Sequence, residues 1–209
     1  VAPTPFETAV FVNCPFDAAY EPILHAVLFC IVSAGLTPRI ATERADSGET
    51  RIEKIRELIE ASKFSIHDLS RCQAEKSGEH YRLNMPFELG LDFGCRAYCG
   101  EGRAGKKILI LEEQRYRYQA AISDLAGFDI EAHGGDWRTA VAKVRKWLSS
   151  AAGLKLPSPN RIVLDYEDFQ EWYWEKRSEE GWSEETIKDY PTHEFLQDMQ
   201  EWMARGRPL

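Results

Sequence analysis

No stretch of the 209 residues approaches the ~20 consecutive apolar positions that a membrane-spanning helix needs. The longest apolar run, residues 23–36, is broken by His25 and Ser33 and reads as a buried helix. The opening residues hold no basic segment followed by an apolar core, so no secretory leader is expected in the sequence given. The five cysteines, Cys14, Cys30, Cys72, Cys95 and Cys99, include no C-x-x-C pair. That excludes a zinc knuckle or dithiol redox motif and predicts free thiols in a reducing cytosol. A G-x-S-x-G elbow and the lysine spacing of a P-loop are both missing. His and acidic residues do not cluster at metal-ligand spacing, so neither a metal nor a bound cofactor is expected. Internal repeats and low-complexity tracts are absent too.

Basic residues are outnumbered, 26 Lys and Arg against 34 Asp and Glu, for a net charge of −8. The deficit is concentrated near the end: between Asp165 and Glu201 thirteen acidic residues face three basic ones. Such a surface repels phosphate backbones, so nucleic-acid binding is not expected. The first 150 residues are nearly balanced, and Arg39, Arg44, Arg51 and Arg71 could meet one small phosphate ligand. A hydrophobic share of 44% is ordinary for a chain that buries a core.

What is present is an alternation of short apolar runs with amphipathic segments over residues 1–153. Strands are expected at 9–13, 38–42, 64–69, 107–111 and, weakly, 128–132. Helices are expected at 17–33, with Pro22 in the first turn and Gly35 as the stop, at 84–98 under an Asn84 cap, at 118–126 and at 136–151. Thr50 and Glu53 form a capping box for a further helix whose Ile52, Ile55, Leu58 and Ile59 share one face. A loop is expected over 70–83. The pattern predicts an α/β fold, a parallel five-stranded sheet with helices on both faces. Residues 154–209 read as an acidic helical extension rich in tryptophan: Trp172, Trp174, Trp182 and Trp202. These pack the extension onto the domain or form a surface for a protein partner.

In an open parallel sheet, ligands bind beyond the carboxyl ends of the strands, where the strand order reverses. With a flavodoxin-like order the reversal lies between the first and third strands. It brings together Asn13-Cys14-Pro15-Phe16-Asp17, the strand end at Asp68, and the helix start Asn84 to Gly90. Glu88 is expected in the first turn of that helix, where the dipole keeps a carboxylate ionised. A carboxylate between apolar Phe87 and Leu89 suits the stabilisation of a sugar cation, although a plain helix-start acid is the structural alternative. Asp68 could hold a ribose hydroxyl or cap a loop. His67 should point the other way and pack in the core. Cys14 stands where a nucleophile could, without an assignable His partner. Ser47 and Gly48, just before a helix, offer backbone amides to a phosphate.

Gly48 and Thr50-Arg51-Ile52-Glu53-Lys54, followed by Arg82-Leu83-Asn84-Met85-Pro86-Phe87-Glu88-Leu89-Gly90, resemble the nucleotide-binding TIR-like domains of bacterial defence systems. The resemblance spans roughly residues 10–111. It implies a flavodoxin-like fold, NAD as substrate, Glu88 as the catalytic residue and self-assembly into homo-oligomers. Asn13, Cys14, Phe16, Ser47, Gly48 and Asn84 would then contact the nucleotide, with Asp68 assisting Glu88. The Glu-Leu-Gly helix is also similar to that of nucleoside 2-deoxyribosyltransferases. Those enzymes carry an aspartate and glycine where this chain has Tyr81 and Arg82. Three readings stay open: hydrolysis of the nicotinamide–ribose bond, cleavage or transfer at another nucleoside bond, and a non-catalytic module that binds a nucleotide or a protein.

Overall fold

The computed structural model describes residues 5–44, 46–71, 82–188 and 190–207. Strand β1 (Ala9–Asn13) is buried at all five positions, as a central strand covered on both faces must be. It pairs in parallel with β2 (Thr37–Arg39) and β3 (Phe64–Asp68). Beyond β3 lie β4 (Lys107–Glu112) and β5 (Glu131–Ala132), also parallel, giving the order β2-β1-β3-β4-β5. This is the flavodoxin-like order, and the register sets Asn13 beside His67 and Asp68 beside Leu111 on one rim.

The alternation of side chains along β1 divides the core. Val10 and Val12 face α1 (Glu21–Ser33) and α5 (Trp137–Ala151), whereas Phe11 meets α2 (Arg51–Glu60) and Cys95 of α3 (Asn84–Tyr98). A short α4 (Glu101–Ala104) leads into β4. In α5, Asp136 caps the start by accepting the Thr139 N–H at 2.8 Å, and Val141, Val144 and Leu148 are fully buried as the periodicity predicts.

Helix α1 is apolar nearly all round, with Ile23, Leu24 and the whole run from Ala26 to Ile31 buried. A helix with this composition needs cover on both sides. The second cover comes from α6 (Pro159–Glu179), α7 (Glu184–Lys188) and α8 (Thr192–Ala204), which join α1 and α5 in one continuous core. Phe169 is fully buried, stacked at 5.5 Å on Phe29 of α1 and 5.8 Å from Trp202. Trp202 and Trp172 pack into this core, while Trp174 and Trp182 stay partly open at the surface. Among the described residues no helix is long and apolar enough to cross a membrane.

Several boundaries differ from expectation. Helix α1 starts at Glu21 rather than 17, because Asp17 closes a turn by accepting the Tyr20 N–H on its carbonyl and side chain. Strand β2 ends at Arg39. The Glu43 carboxylate takes the Arg39 guanidinium and the Ile40 N–H at 3.3 Å, curling the chain into a 3-10 turn at Ala41–Glu43. Ile52, expected on the buried face of α2, sits in its first turn and is exposed. The expected helix at 118–126 is two 3-10 turns, Arg117–Ala120 and Ser123–Leu125. Buried Tyr118 clamps them, its hydroxyl donating to Leu125 O at 3.0 Å. Strand β5 shrinks to two residues. Asn84 does not cap α3 but is its first residue, with Leu83 at the cap and no side-chain cap bond. The loop expected over 70–83 falls mainly on 72–81, including Cys72 and Tyr81, outside the described residues.

Truncating Phe169 to Ala should cost about 3–5 kcal/mol, the usual penalty for emptying a buried aromatic site. Chemical denaturation followed by far-UV circular dichroism should show one transition shifted as a whole, since sheet and C-terminal helices share a core. Loss of the C-terminal helices in a separate early step would contradict that continuity.

Candidate functional site

The rim at β1, β3 and α3 carries two buried polar networks, one on each face of the sheet. They start from neighbouring residues of β3, because successive side chains of a strand point oppositely.

On the α3 side, Asn13 Nδ2 donates to His67 Nδ1 and to Met85 O, each at 3.0 Å. Accepting at Nδ1 places the His67 proton on Nε2, which donates to Asp92 Oδ2 at 2.9 Å. Asp92 Oδ1 lies 3.2 Å from Lys106 Nζ, and both side chains are closed to solvent. Lys106 also donates to Ile59 O at 2.7 Å and to Ser62 O, at the carboxyl end of α2, where a cation is favoured. Burial opposes ionisation of Asp92, but the His67 bond and the Lys106 charge outweigh it and hold its carboxyl below the usual range.

On the α1 side, Asp68 accepts from Ser70 N at 2.8 Å and from Ser70 Oγ. It also accepts from Tyr20 Oη at 2.5 Å and His133 Nε2 at 3.0 Å. His133 Nδ1 accepts the Gly135 N–H at 3.1 Å, so its proton sits on Nε2 and faces Asp68. Ser70, His133 and Asp68 are therefore no nucleophilic triad: one imidazole nitrogen serves both partners. Burial works against the Asp68 charge, yet these donors keep its carboxyl below the ordinary range. Fully buried and held by four donors, Asp68 braces the rim and is not open to a ligand.

Glu88 lies in the second turn of α3, not the first, and the consequence reverses the expectation of a dipole-stabilised carboxylate. Its side chain is 5% exposed, so burial raises its carboxyl above the usual range, with Arg51 the chief opposing influence. Arg51 Nη2 stands at 3.4 Å from Oε1, a long contact, and Oε2 is buried with no hydrogen-bond partner. Asn13 Oδ1 is a second buried acceptor without a donor. Such groups are costly unless water or a ligand reaches them.

Beside them opens a cavity of about 560 Å³ lined by Cys14, Phe16, Arg51, Arg82, Asn84 and Met85, with Leu83 at its edge. The Arg51 and Arg82 side chains are 54% and 51% exposed, and the nearest acid to Arg82 is Asp17 at 3.6 Å. The cavity thus faces two guanidinium groups and the start of α3, a setting for an anion. Phe16 presents a partly exposed ring. The Cys14 thiol is pushed well up by burial and by the charges of Asp68, Glu88 and Asp17, which argues against a thiolate nucleophile.

Cys14, Phe16 and Asn84 therefore line one hollow, whereas Asn13 and Glu88 do not line it but stand behind its walls, Asn13 bonded to Met85 O and Glu88 in contact with Arg51. Ser47 and Gly48 do not line it; Gly48 N donates to Asp46 Oδ1 at 2.8 Å, so this amide is already taken. Of the other arginines considered, Arg39 is paired with Glu43, Arg44 with Glu49 and Glu57, and Arg71 with Asp17. Gly90 is exposed, and an added Cβ would meet nothing within 4 Å among the described residues. Tyr20, Asp92, Lys106 and His133 went unrecognised in the sequence. Asp92 was detectable as an acid four residues after Glu88 on the same helix, and His133 as the residue following a strand end. Lys106 looks like any surface lysine before a strand.

The fold and rim define an α/β protein with flavodoxin-like strand order and a polar crevice at its switch point. No protein-family model matches the chain, and comparison with curated proteins finds no match either.

A raised folded-state pKa means the native state binds the Glu88 proton more tightly than the unfolded chain does. Ionised Glu88 therefore costs stability above that pKa, and the cost disappears as pH falls to the ordinary carboxylate range and below. Glu88→Gln should raise the melting temperature by a few degrees near neutral pH and leave it unchanged in acid. A lower melting temperature near neutrality would show instead that the carboxylate is a structural asset.

Proposed function

We propose that the protein hydrolyses the N-glycosidic bond of a nucleotide, the nicotinamide–ribose bond of NAD or a close relative, with Glu88 as the catalytic carboxylate. The observation that carries this reading is the buried, unpartnered Glu88 Oε2 behind a cavity walled by two guanidinium groups. The TIR-like motif around Glu88 points the same way and suggests a role as a defence effector.

Arg51 and Arg82 suit the pyrophosphate, and the Phe16 ring suits the planar base. Two acceptor oxygens without donors, on Asn13 and Glu88, complement the donating hydroxyls of a ribose. In this arrangement Asn13 takes the sugar-holding task first given to Asp68. As the C1′–N bond breaks, its electron pair leaves with nicotinamide, whose ring nitrogen becomes neutral. Glu88 stabilises the positive charge developing on the sugar. Water then adds at C1′ and releases a proton, giving ADP-ribose. A cationic leaving group needs no general acid, consistent with a single free carboxylate. The arginines favour a phosphorylated substrate over a free deoxynucleoside.

Glu88→Ala should abolish nicotinamide release, followed by chromatography, while circular dichroism stays native. Full activity in that variant ends the proposal. Because the reaction needs the ionised carboxylate, rate should rise with pH through a limb above the ordinary carboxylate range. Arg51 draws that limb down, so Arg51→Ala should shift it to higher pH and weaken substrate binding. A limb that stays put in Arg51→Ala would assign the titration to another group. Free deoxynucleosides in the same assay should release no base.

A further inference from the structure

A second cavity, of about 390 Å³, lies between the start of α1 and the C-terminal helices α6, α7 and α8. Its walls are aromatic: Tyr166, Tyr173, Tyr190 and Phe195, all buried, with Trp174 at 37% exposure. The rings are locked against one another. Phe195 stands perpendicular to Tyr173 at 4.8 Å, and Tyr190 lies 5.8 Å from Tyr173. A site held this firmly loses little freedom when a ligand enters.

Three polar side chains, Glu21, His25 and Gln170, interrupt the rings. His25, tilted against Phe195 at 4.4 Å, has a buried Nε2 with no hydrogen-bond partner. Burial lowers its pKa to about 4, so the imidazole is uncharged near neutrality and can present a lone pair there. Glu21 Oε1 stands 3.8 Å from that nitrogen, too far for a direct bond. Two acceptors at this separation can share one donor nitrogen placed between them.

We propose that this cavity is a binding site for a small aromatic amine in its protonated form. The ammonium would donate to Glu21 and His25, and its apolar body would lie among the rings. An uncharged ligand of the same shape brings at most one donor and no charge to the carboxylate, so it pairs these groups less well. Aromatic faces attract cations, and these rings already hold one. The Arg177 guanidinium, which does not line the cavity, lies 4.5 Å from the Tyr190 centroid and 5.8 Å from that of Tyr173. The acidic balance of the C-terminal segment adds a favourable long-range field. Nothing in this inference depends on the chemistry at Glu88.

The test is titration of the full chain with phenethylamine and with its neutral counterpart 2-phenylethanol, by calorimetry and tryptophan fluorescence. Phenethylamine should bind saturably and change the emission, and Trp174→Phe should remove that change. The alcohol should bind about tenfold more weakly or worse, the factor expected for losing a charge-assisted hydrogen bond. Glu21→Gln should weaken phenethylamine to a similar degree while far-UV circular dichroism stays native. Equal affinities for amine and alcohol, no saturable binding at millimolar amine, or an unaffected Glu21→Gln variant would each overturn the proposal.

Discussion

The buried ion pair between Lys106 and Asp92 is the constraint on which the rim depends. A pair closed to solvent gains little net energy unless its remaining valences are filled, and removing one partner strands the other. Here most of them are filled by structure, although Asp92 Oδ1 has the ion pair with Lys106 and no hydrogen bond. Lys106 also binds carbonyls at the end of α2, and Asp92 takes the His67 proton. His67 in turn accepts from Asn13, which reaches back to Met85 O in the first turn of α3. One continuous path thus joins the end of α2, the middle of α3, β3, β1 and the start of α3. It fixes the helix along its axis and about it, and Glu88, one turn from Asp92 on that helix, is fixed with it.

The Asp68 network performs the matching task on the opposite face. Tyr20 precedes α1 and His133 precedes α5, so two of the four donors draw the starts of two helices onto the end of β3. Both faces of the switch point are rigid as a result. Side chains left with freedom at the hollow are Arg51, Arg82 and Phe16, those that would have to adjust to a ligand. A fixed carboxylate with adjustable arginines is an economical division between positioning and recognition.

Much of this was legible in the residues, for identifiable reasons. Strands β1 and β4 are short apolar runs whose burial on both faces leaves few alternatives, and the Asp136 cap with its stripe of Val141, Val144 and Leu148 announces α5. Misreadings arose where one side chain overrides local pattern. Tyr118 holds a segment of helical composition in two tight turns, and Glu43 diverts the chain out of β2. At the rim, the nearness of β1, the end of β3 and the start of α3 followed from topology alone. The roles of the side chains there did not. Asp68 is saturated while Asn13 keeps an acceptor free, a difference set by Tyr20 and His133, which lie far away in sequence.

Glu88 also shows why position within a helix matters more than proximity to its end. In the first turn its carboxylate would have met unpaired N–H groups and lost proton affinity. One turn further in, those amides are bonded within the helix, and burial dominates. The neighbouring Asp92 is more buried still, yet His67 and Lys106 outweigh the cost of burying its charge. The one weak partner of Glu88, Arg51, sits on the cavity wall where an incoming anion would compete for it. Of the two carboxylates on this helix, then, Asp92 is held by a histidine and a buried lysine, whereas Glu88 has only the long contact to Arg51, and the proposed role of Glu88 rests on that difference.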